Sequence, residues 1–154
     1  MRASHRATIR LAKALLALAC AAAAGTAAAI DFRSVAADAA ILYDAPSAKA
    51  RKLFILGRDY PVEVLVTIEG WIKVRDASGE LAWIETRNLA DKRTVMVRVA
   101  RAEVRQSPAE TAEILFYAEQ DVVFDLIEMD GNYARVRHAD GASGYVRVTQ
   151  VWGL

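Results

Sequence analysis

Few side chains of this sequence combine the chemistry and the spacing that a catalytic site needs. The chain has two histidines and one cysteine, and of these only His138 lies beyond position 30. His138 stands just before the turn signal Asp140-Gly141, where a lone histidine is typically a surface residue rather than a general base. A zinc site needs several nitrogen, sulfur or carboxylate ligands close together, so the sequence predicts no metal centre.

The carboxylates offer the remaining catalytic chemistry. Asp121, Asp125, Glu128 and Asp130 form an acidic series, and two carboxylates at a suitable separation can hydrolyse a glycosidic bond. Carboxylates spaced along one exposed strand are more simply a solvated face. Gly141-Ala142-Ser143-Gly144 lacks the Gly-x-Ser-x-Gly spacing of a nucleophile elbow. We therefore predict a protein that is not an enzyme, with no catalytic residue and no cofactor.

The chain after position 30 repeats itself at a constant offset of 62 residues. Aromatic residues match aromatic residues, and turn glycines match turn glycines. The matches include Leu53-Phe54 with Leu115-Phe116, Trp71 with Tyr133, Gly79 with Gly141, and Trp83-Ile84 with Tyr145-Val146. Internal repetition of this kind indicates two similar folding units rather than one larger domain.

Each copy has the pattern of short β-strands joined by tight turns. In the segment 71–75 the apolar Ile72 and Val74 alternate with larger or charged residues, and a period of two indicates a strand with one buried face. Asp140-Gly141 in the second copy favours a hairpin turn. Short strands at close spacing predict a small barrel or sandwich in each copy. The aromatic residues expected in the cores are Phe54, Tyr60, Phe116 and Phe124.

Two sets of residues carry a resemblance to a known family. They are Gly70-Trp71-Ile72-Lys73-Val74, Gly79, Ala82-Trp83-Ile84 and Leu89 in the first copy, and Tyr133, Arg135-Val136, Gly141 and Gly144-Tyr145-Val146 in the second. Both sets resemble the C-terminal half of bacterial Src-homology-3 (SH3) domains. Val104-Arg105-Gln106-Ser107-Pro108 resembles the arginine-serine-proline segment near the start of these domains.

The resemblance implies an all-β fold of two tandem small SH3-like β-barrels, which we place at residues 30–90 and 94–154. Little more than Ala90 to Arg93 links the barrels. So short a link should make the barrels pack against or restrict each other. The residues expected to share that junction are Leu89, Val95, Val97, Val151 and Trp152.

The resemblance also implies a binding function. Bacterial SH3 domains are typically docking modules, often attached to cell-wall hydrolases, so the expected partner is peptidoglycan or a wall peptide. The alternative is a periplasmic adaptor that docks an envelope enzyme or complex. SH3 folds bind ligands in an aromatic-lined groove between loops. The candidate ligand-binding residues are Tyr43, Trp71, Trp83, Arg105, Tyr133 and Tyr145.

The comparison with SH3 grooves leaves alternatives open. Trp71 could instead pack against neighbouring loops, and Trp83 on the outer face of the sheet. Where eukaryotic SH3 domains place a groove proline and tyrosine, the two copies have Glu85 and Asn88, and Arg147 and Gln150. We therefore expect neither copy to bind proline-rich peptides in the eukaryotic manner, and we expect the copies to differ in ligand.

The N-terminal residues 1–29 have the three parts of a secretory signal peptide. Four basic residues precede an uncharged run from Ala14 to Ile30, which ends in small residues. That run is shorter than the ~20 apolar residues that span a bilayer. We predict cleavage after Ala29, a periplasmic or otherwise exported protein, and membrane contact only during export. Lipidation at Cys20 is the less favoured alternative, because Ala17-Leu18-Ala19 is a poor approach sequence.

Removal of the leader changes the charge. The leader carries four basic and no acidic residues, so 16 basic and 19 acidic side chains remain, a formal charge of −3. Nucleic-acid binding usually requires a basic surface, and this balance predicts no nucleic-acid partner.

Overall fold

The computed structural model describes residues 30–154, and the predicted signal peptide with Cys20 lies outside the described residues. The first unit contains β1 (Asp31–Val35), β2 (Ala39–Tyr43), β3 (Lys52–Gly57), β4 (Pro61–Ile68), β5 (Trp71–Arg75), β6 (Leu81–Glu85) and β7 (Leu89–Ala90). The second contains β8 (Thr94–Val97), β9 (Arg101–Arg105), β10 (Ile114–Glu119), β11 (Val123–Asp130), β12 (Tyr133–Arg137), β13 (Ser143–Arg147) and β14 (Val151–Trp152).

The two units have the same topology. The strand order is β3-β2-β6-β5-β4-β1-β7 in the first sheet and β10-β9-β13-β12-β11-β8-β14 in the second, with antiparallel neighbours throughout. A 3₁₀ turn precedes the last strand of each, at Thr86–Asn88 and Val148–Gln150. The predicted all-β fold of two tandem SH3-like barrels is confirmed. Within residues 30–154 no helix is long and apolar enough to cross a membrane.

The predicted alternation fills one core in each barrel. Ile72 and Val74 are fully buried in the first, as are Val136 and Val146 in the second. Phe124 is 1% exposed and is the largest fully buried side chain. The other aromatic residues expected in the cores lie at their margins, partly buried against them: Phe54, Tyr60 and Phe116.

Glycine is required in the β5–β6 and β12–β13 turns. Gly79 and Gly141 adopt φ values of 92° and 95°, a region that side chains with a β-carbon rarely enter. The turn predictions at these two positions therefore agree with the backbone.

The two barrels meet through an aromatic pair. The rings of Phe32 and Trp152 lie 5.1 Å apart, edge to face, and the guanidinium of Arg93 lies over Phe32 at 5.8 Å. Arg93 also donates to the carbonyl of Gly153 at 3.0 Å. Trp152 thus lies at the junction as expected. Val151 lies in the core of the second barrel and also lines a cavity between the barrels with Phe32 and Trp152. The other expected junction residues belong to the core of their own barrel: Leu89, Val95 and Val97.

Polar contacts join the barrels beside that pair. Lys92 Nζ lies 3.0 Å from Asp59 Oδ1 of the first barrel and 2.7 Å from Asp125 Oδ1 of the second. The hydroxyl of Thr94 donates to the carbonyl of Asp59 at 2.7 Å. Thr94 is 1% exposed, so this hydrogen bond is shielded from water and strengthened. These contacts restrict the orientation of one barrel relative to the other.

Candidate ligand-binding grooves

The six candidate residues come together as two trios at equivalent positions. Strands β2, β5 and β6 supply Tyr43, Trp71 and Trp83, and strands β9, β12 and β13 supply Arg105, Tyr133 and Tyr145. Register aligns Tyr43 with Trp83 and Arg105 with Tyr145. In each of these strands the residue next to the trio member points into the core. Because successive side chains of a strand point to opposite faces, each trio lies on the face away from the core.

The first groove, defined as the surface formed by Tyr43, Trp71 and Trp83, is aromatic. Tyr43 is 6% exposed, and its ring centroid lies 5.3 Å from that of Trp71 at an interplanar angle of 88°. Trp71 and Trp83 are half-buried. Such an edge-to-face pair contributes ~0.5–1.5 kcal/mol beyond the buried area. Trp71 therefore packs on Tyr43 and also presents part of its ring to solvent.

The second groove is a polar cleft of about 510 Å³. Its walls are the loop Pro108–Glu110 and the segment Arg147–Thr149, with Asn132 and Tyr133 between them. Tyr133 is 7% exposed, and its hydroxyl has no hydrogen-bond partner among the described residues. The hydroxyl oxygen is itself buried, and a buried polar group without a partner is unfavourable.

Opposite charges face each other across this cleft. Arg147 Nη1 lies 2.8 Å from Glu110 Oε1, and the guanidinium carbon lies 6.0 Å from the centre of the Tyr133 ring. The Arg147 side chain is 38% exposed and that of Glu110 is 73% exposed. The cleft thus offers both a cation and an anion beside the buried phenol.

Arg105 positions the wall of the second groove. One guanidinium nitrogen donates to the carbonyls of Glu110 at 2.8 Å and Ala112 at 2.7 Å, and the other pairs with Glu103. The side chain is 11% exposed. Arg105 therefore holds the loop that carries Glu110 and lies beneath the cleft rather than lining it.

The sequence reasoning missed Glu110 as a site residue, and it named Arg147 only as a departure from the eukaryotic pattern. Glu110 lies in a loop with no local pattern, and Arg147 follows it by 37 positions. Only the fold brings the loop between β9 and β10 against the end of β13, so no short-range signal could have paired them.

The basic residues of β5 and β12 are mostly balanced by acids on the sheet surface. Arg75 lies 2.7 Å from Glu63, and Arg135 lies 3.1 Å from Glu128. Arg137 pairs with Asp125 at 3.4 Å. Two members of the acidic series considered for glycoside hydrolysis, Asp125 and Glu128, are thus engaged in ion pairs on the sheet surface.

Two small β-barrels with the same strand order define the class of tandem SH3-like domains. The sequence model of the bacterial SH3 domain family matches two segments of the chain, residues 36–91 and 98–153. The chain therefore belongs to the bacterial SH3 domain family. The two matches are separated by the same 62-residue offset as the strands. No curated protein matches the chain.

Several solved structures resemble the chain distantly. NlpC1 from Trichomonas vaginalis is 18% identical with a TM-score of 0.38, covering 84% of this chain and 48% of its own. NlpC2 from the same organism is 18% identical with a TM-score of 0.37, covering 80% and 48%. An NlpC/P60 family protein from Bacillus cereus is 15% identical with a TM-score of 0.37, covering 79% and 55%. The chain spans about half the length of these structures.

Proposed function

We propose that this protein is an exported, non-catalytic module of the cell envelope that binds peptidoglycan through its wall peptides. Membership of the bacterial SH3 family supports a binding role. The leader at residues 1–29 supports export. The two grooves are the binding surfaces, and the second groove carries the proposal.

The observation that favours a wall peptide is the charge arrangement of the second groove. Wall peptides carry free carboxylates and, in many cell walls, a free side-chain amine. Arg147 offers a guanidinium for a carboxylate, and Glu110, 2.8 Å away, offers a carboxylate for an ammonium group. An incoming zwitterionic peptide exchanges the Arg147–Glu110 pair for two pairs with the ligand. Charge-assisted hydrogen bonds of this kind are the stronger ones.

The first groove contributes a different contact. Trp71 and Tyr43 form an apolar, aromatic face that suits the aliphatic parts of a peptide or the apolar face of a sugar ring. Because the junction restricts the two barrels, both grooves are held on one body. Linked sites that bind one polymer gain avidity through effective concentration.

The experiment is co-sedimentation of residues 30–154 with isolated cell-wall sacculi over a range of salt concentrations. We expect saturable pelleting of the native protein. Arg147→Gln should weaken it about 10- to 100-fold, because a hydrogen bond to a charged group contributes ~1.5–3 kcal/mol. Added salt should weaken it too, because an exposed ion pair is screened.

Arg135→Gln is the matched control. It removes the same charge from the same barrel and breaks a surface ion pair, but Arg135 does not line the cleft. Pelleting by this variant should equal that of the native protein. No pelleting of the native protein would refute wall binding, and equal loss in both variants would refute the assignment of the site to the cleft.

The second candidate function is an envelope adaptor that binds a protein partner. Strands β3 and β10 are edge strands of their sheets, and they expose large apolar side chains: Leu53, Ile55, Leu115 and Tyr117. Ile55 alone is 64% exposed. An exposed edge with apolar side chains is a template for another strand. Cross-linking in cells at position 55, with a single capture product, would favour this function.

A further inference from the structure

The second barrel has another cavity, of about 490 Å³, which shares no lining residue with the groove. It lies between β10, the start of β11 and the β12–β13 turn. The walls are apolar and include Phe116, Ala118 and Val122, and the floor is the fully buried Phe124. Glu119, His138 and Asp140 supply polar groups around them.

Comparison with the first barrel shows which side chains differ around the cavity. At the 62-residue offset, Ala118 stands where the first barrel has Leu56, Val122 stands where it has Tyr60, and Phe124 stands where it has Val62. Leu56 is 8% exposed, and Tyr60 packs partly buried against the core. Burial raises the pKa of Tyr60. The backbone amide of Ala77 lowers this pKa, and the carboxylate of Asp76 raises it. The phenol of Tyr60 thus lies near the β5–β6 turn, at the chain position that Val122 holds in the second barrel.

The polar residue of that turn differs as well. In the first barrel Asp76 is 7% exposed, and its Oδ1 accepts hydrogen bonds from the backbone amides of Ser78 and Glu80. The second barrel has His138 at this position. Its Nδ1 lies 3.0 Å from Asp140 Oδ1, and its ring lies 5.8 Å from that of Phe124. The histidine thus forms an aromatic wall beside a carboxylate.

The charged groups that line the cavity are acidic. The amide of Ala142 and then the imidazole of His138 lower the pKa of Asp140, so this carboxylate stays ionised near neutral pH. Glu119 ends β10, where it is exposed and its side chain points to the face opposite that of Ala118. Arg101 stacks on the Tyr117 ring at 4.4 Å and is not part of the lining.

We propose that this cavity binds an apolar group of aromatic size that carries a cationic amine. The group packs on Phe116 and Phe124 beside the small side chains of Ala118 and Val122. The amine pairs with Asp140. Aromatic walls add cation–π attraction to the ion pair, and the volume is within the usual range of ligand pockets.

The test is a titration of residues 30–154 with phenethylamine and with phenylacetate, followed by amide NMR shifts. The two probes have the same ring and opposite charge. We expect the amine to shift the amides around Ala118, Val122 and His138, and to bind at least ~10-fold more tightly than the acid, which is ~1.4 kcal/mol. Equal binding of both probes, or no shift at these amides, overturns the proposal.

Two variants test the site itself. Ala118→Leu with Val122→Tyr installs the pair of the first barrel and should abolish binding of the amine. A dispersed amide spectrum checks that this variant is folded despite the bulkier Phe124, which stands where the first barrel has Val62. Asp140→Asn keeps the hydrogen bond from Ala142 and removes the charge. It should reduce the preference for the amine over the acid at least threefold, and an unchanged preference overturns the role of Asp140.

The peptide acetyl-Ala-Phe-Lys-Ala-amide distinguishes the source of the ligand. Tighter binding of the peptide than of phenethylamine assigns the site to a segment of a partner polypeptide. Tighter binding of the amine assigns it to a small molecule. Sedimentation with sacculi should be unchanged in the Ala118→Leu, Val122→Tyr variant, so this proposal and wall binding fail independently.

Discussion

Replacement of Trp152 by alanine should destabilise the whole protein, because this side chain joins the two barrels. Its ring contacts Phe32 of the first barrel at 5.1 Å, edge to face. Phe32 is itself 5% exposed. Truncation at Trp152 therefore exposes apolar surface on both sides of the junction.

The structure sets the size of this effect. Full truncation of a buried Phe or Trp reduces the free energy of unfolding by ~3–5 kcal/mol. Trp152 is half-buried, and its indole nitrogen has no hydrogen-bond partner among the described residues to lose. We therefore expect a loss of ~2–3 kcal/mol, including ~0.5–1.5 kcal/mol from the aromatic pair. For a protein of this size the midpoint of thermal unfolding should fall by ~8–12 °C.

The assay is chemical and thermal unfolding of native protein, Trp152→Ala, Phe32→Leu and the double variant. Residues in contact should be coupled, so the double variant should lose less stability than the sum of the two single variants, by ~0.5–1.5 kcal/mol. Additivity within ~0.3–0.5 kcal/mol, or an unchanged midpoint in Trp152→Ala, would refute an energetic role for the junction.

Three further predictions concern the junction, the second core and the leader. Lys92→Gln removes the hydrogen bond that chiefly lowers the pKa of Asp125. A carboxyl group whose pKa is lowered by folding stabilises the fold at pH values above its unfolded-state pKa, and this contribution is lost as the pH falls through its folded-state pKa. The variant should therefore lose ~0.5–1 kcal/mol of unfolding free energy at neutral pH and lose less of its remaining stability on acidification. Parallel curves of stability against pH would count against this ion pair. Gly144→Ala should cost ~1–3 kcal/mol by overpacking, since a β-carbon would lie 2.7 Å from both Val104 Cγ1 and the carbonyl of Arg105; an unchanged urea midpoint would contradict the close packing. The secreted protein should have the intact mass of a chain beginning at Ile30, and a mass that includes residues 1–29 would exclude cleavage.

The fold followed from local patterns that any strand pair must satisfy. Alternation in the segment 71–75 placed Ile72 and Val74 inside, because successive side chains of a strand point to opposite faces. Turn glycines located the hairpins, because only glycine readily adopts their positive φ. The constant 62-residue offset then required the same topology twice, and the strands follow it except at the first residue of β8.

The six candidate residues occupy equivalent positions in the two barrels, since aligned positions of one frame share one face, but of the second trio only Tyr133 lines the cleft. Their individual environments could not be predicted. Arg105 occupies the position of Tyr43, but its guanidinium turns to the carbonyls of Glu110 and Ala112. Hydrogen bonding to a loop depends on how the loop returns to the sheet, which the local pattern does not encode.

What the sequence alone determined, therefore, was the all-β class, the duplication, the inward faces and the resemblance to bacterial SH3 domains. These properties rest on short-range periodicity and turn chemistry. The tertiary structure decided the two features that bear on ligands. It brought Glu110 against Arg147 over Tyr133, and it placed the small side chains of Ala118 and Val122 together in the wall of one cavity. Both depend on residues that are distant in the chain or on differences in volume, and volume acquires a meaning only when packing defines the space to be filled.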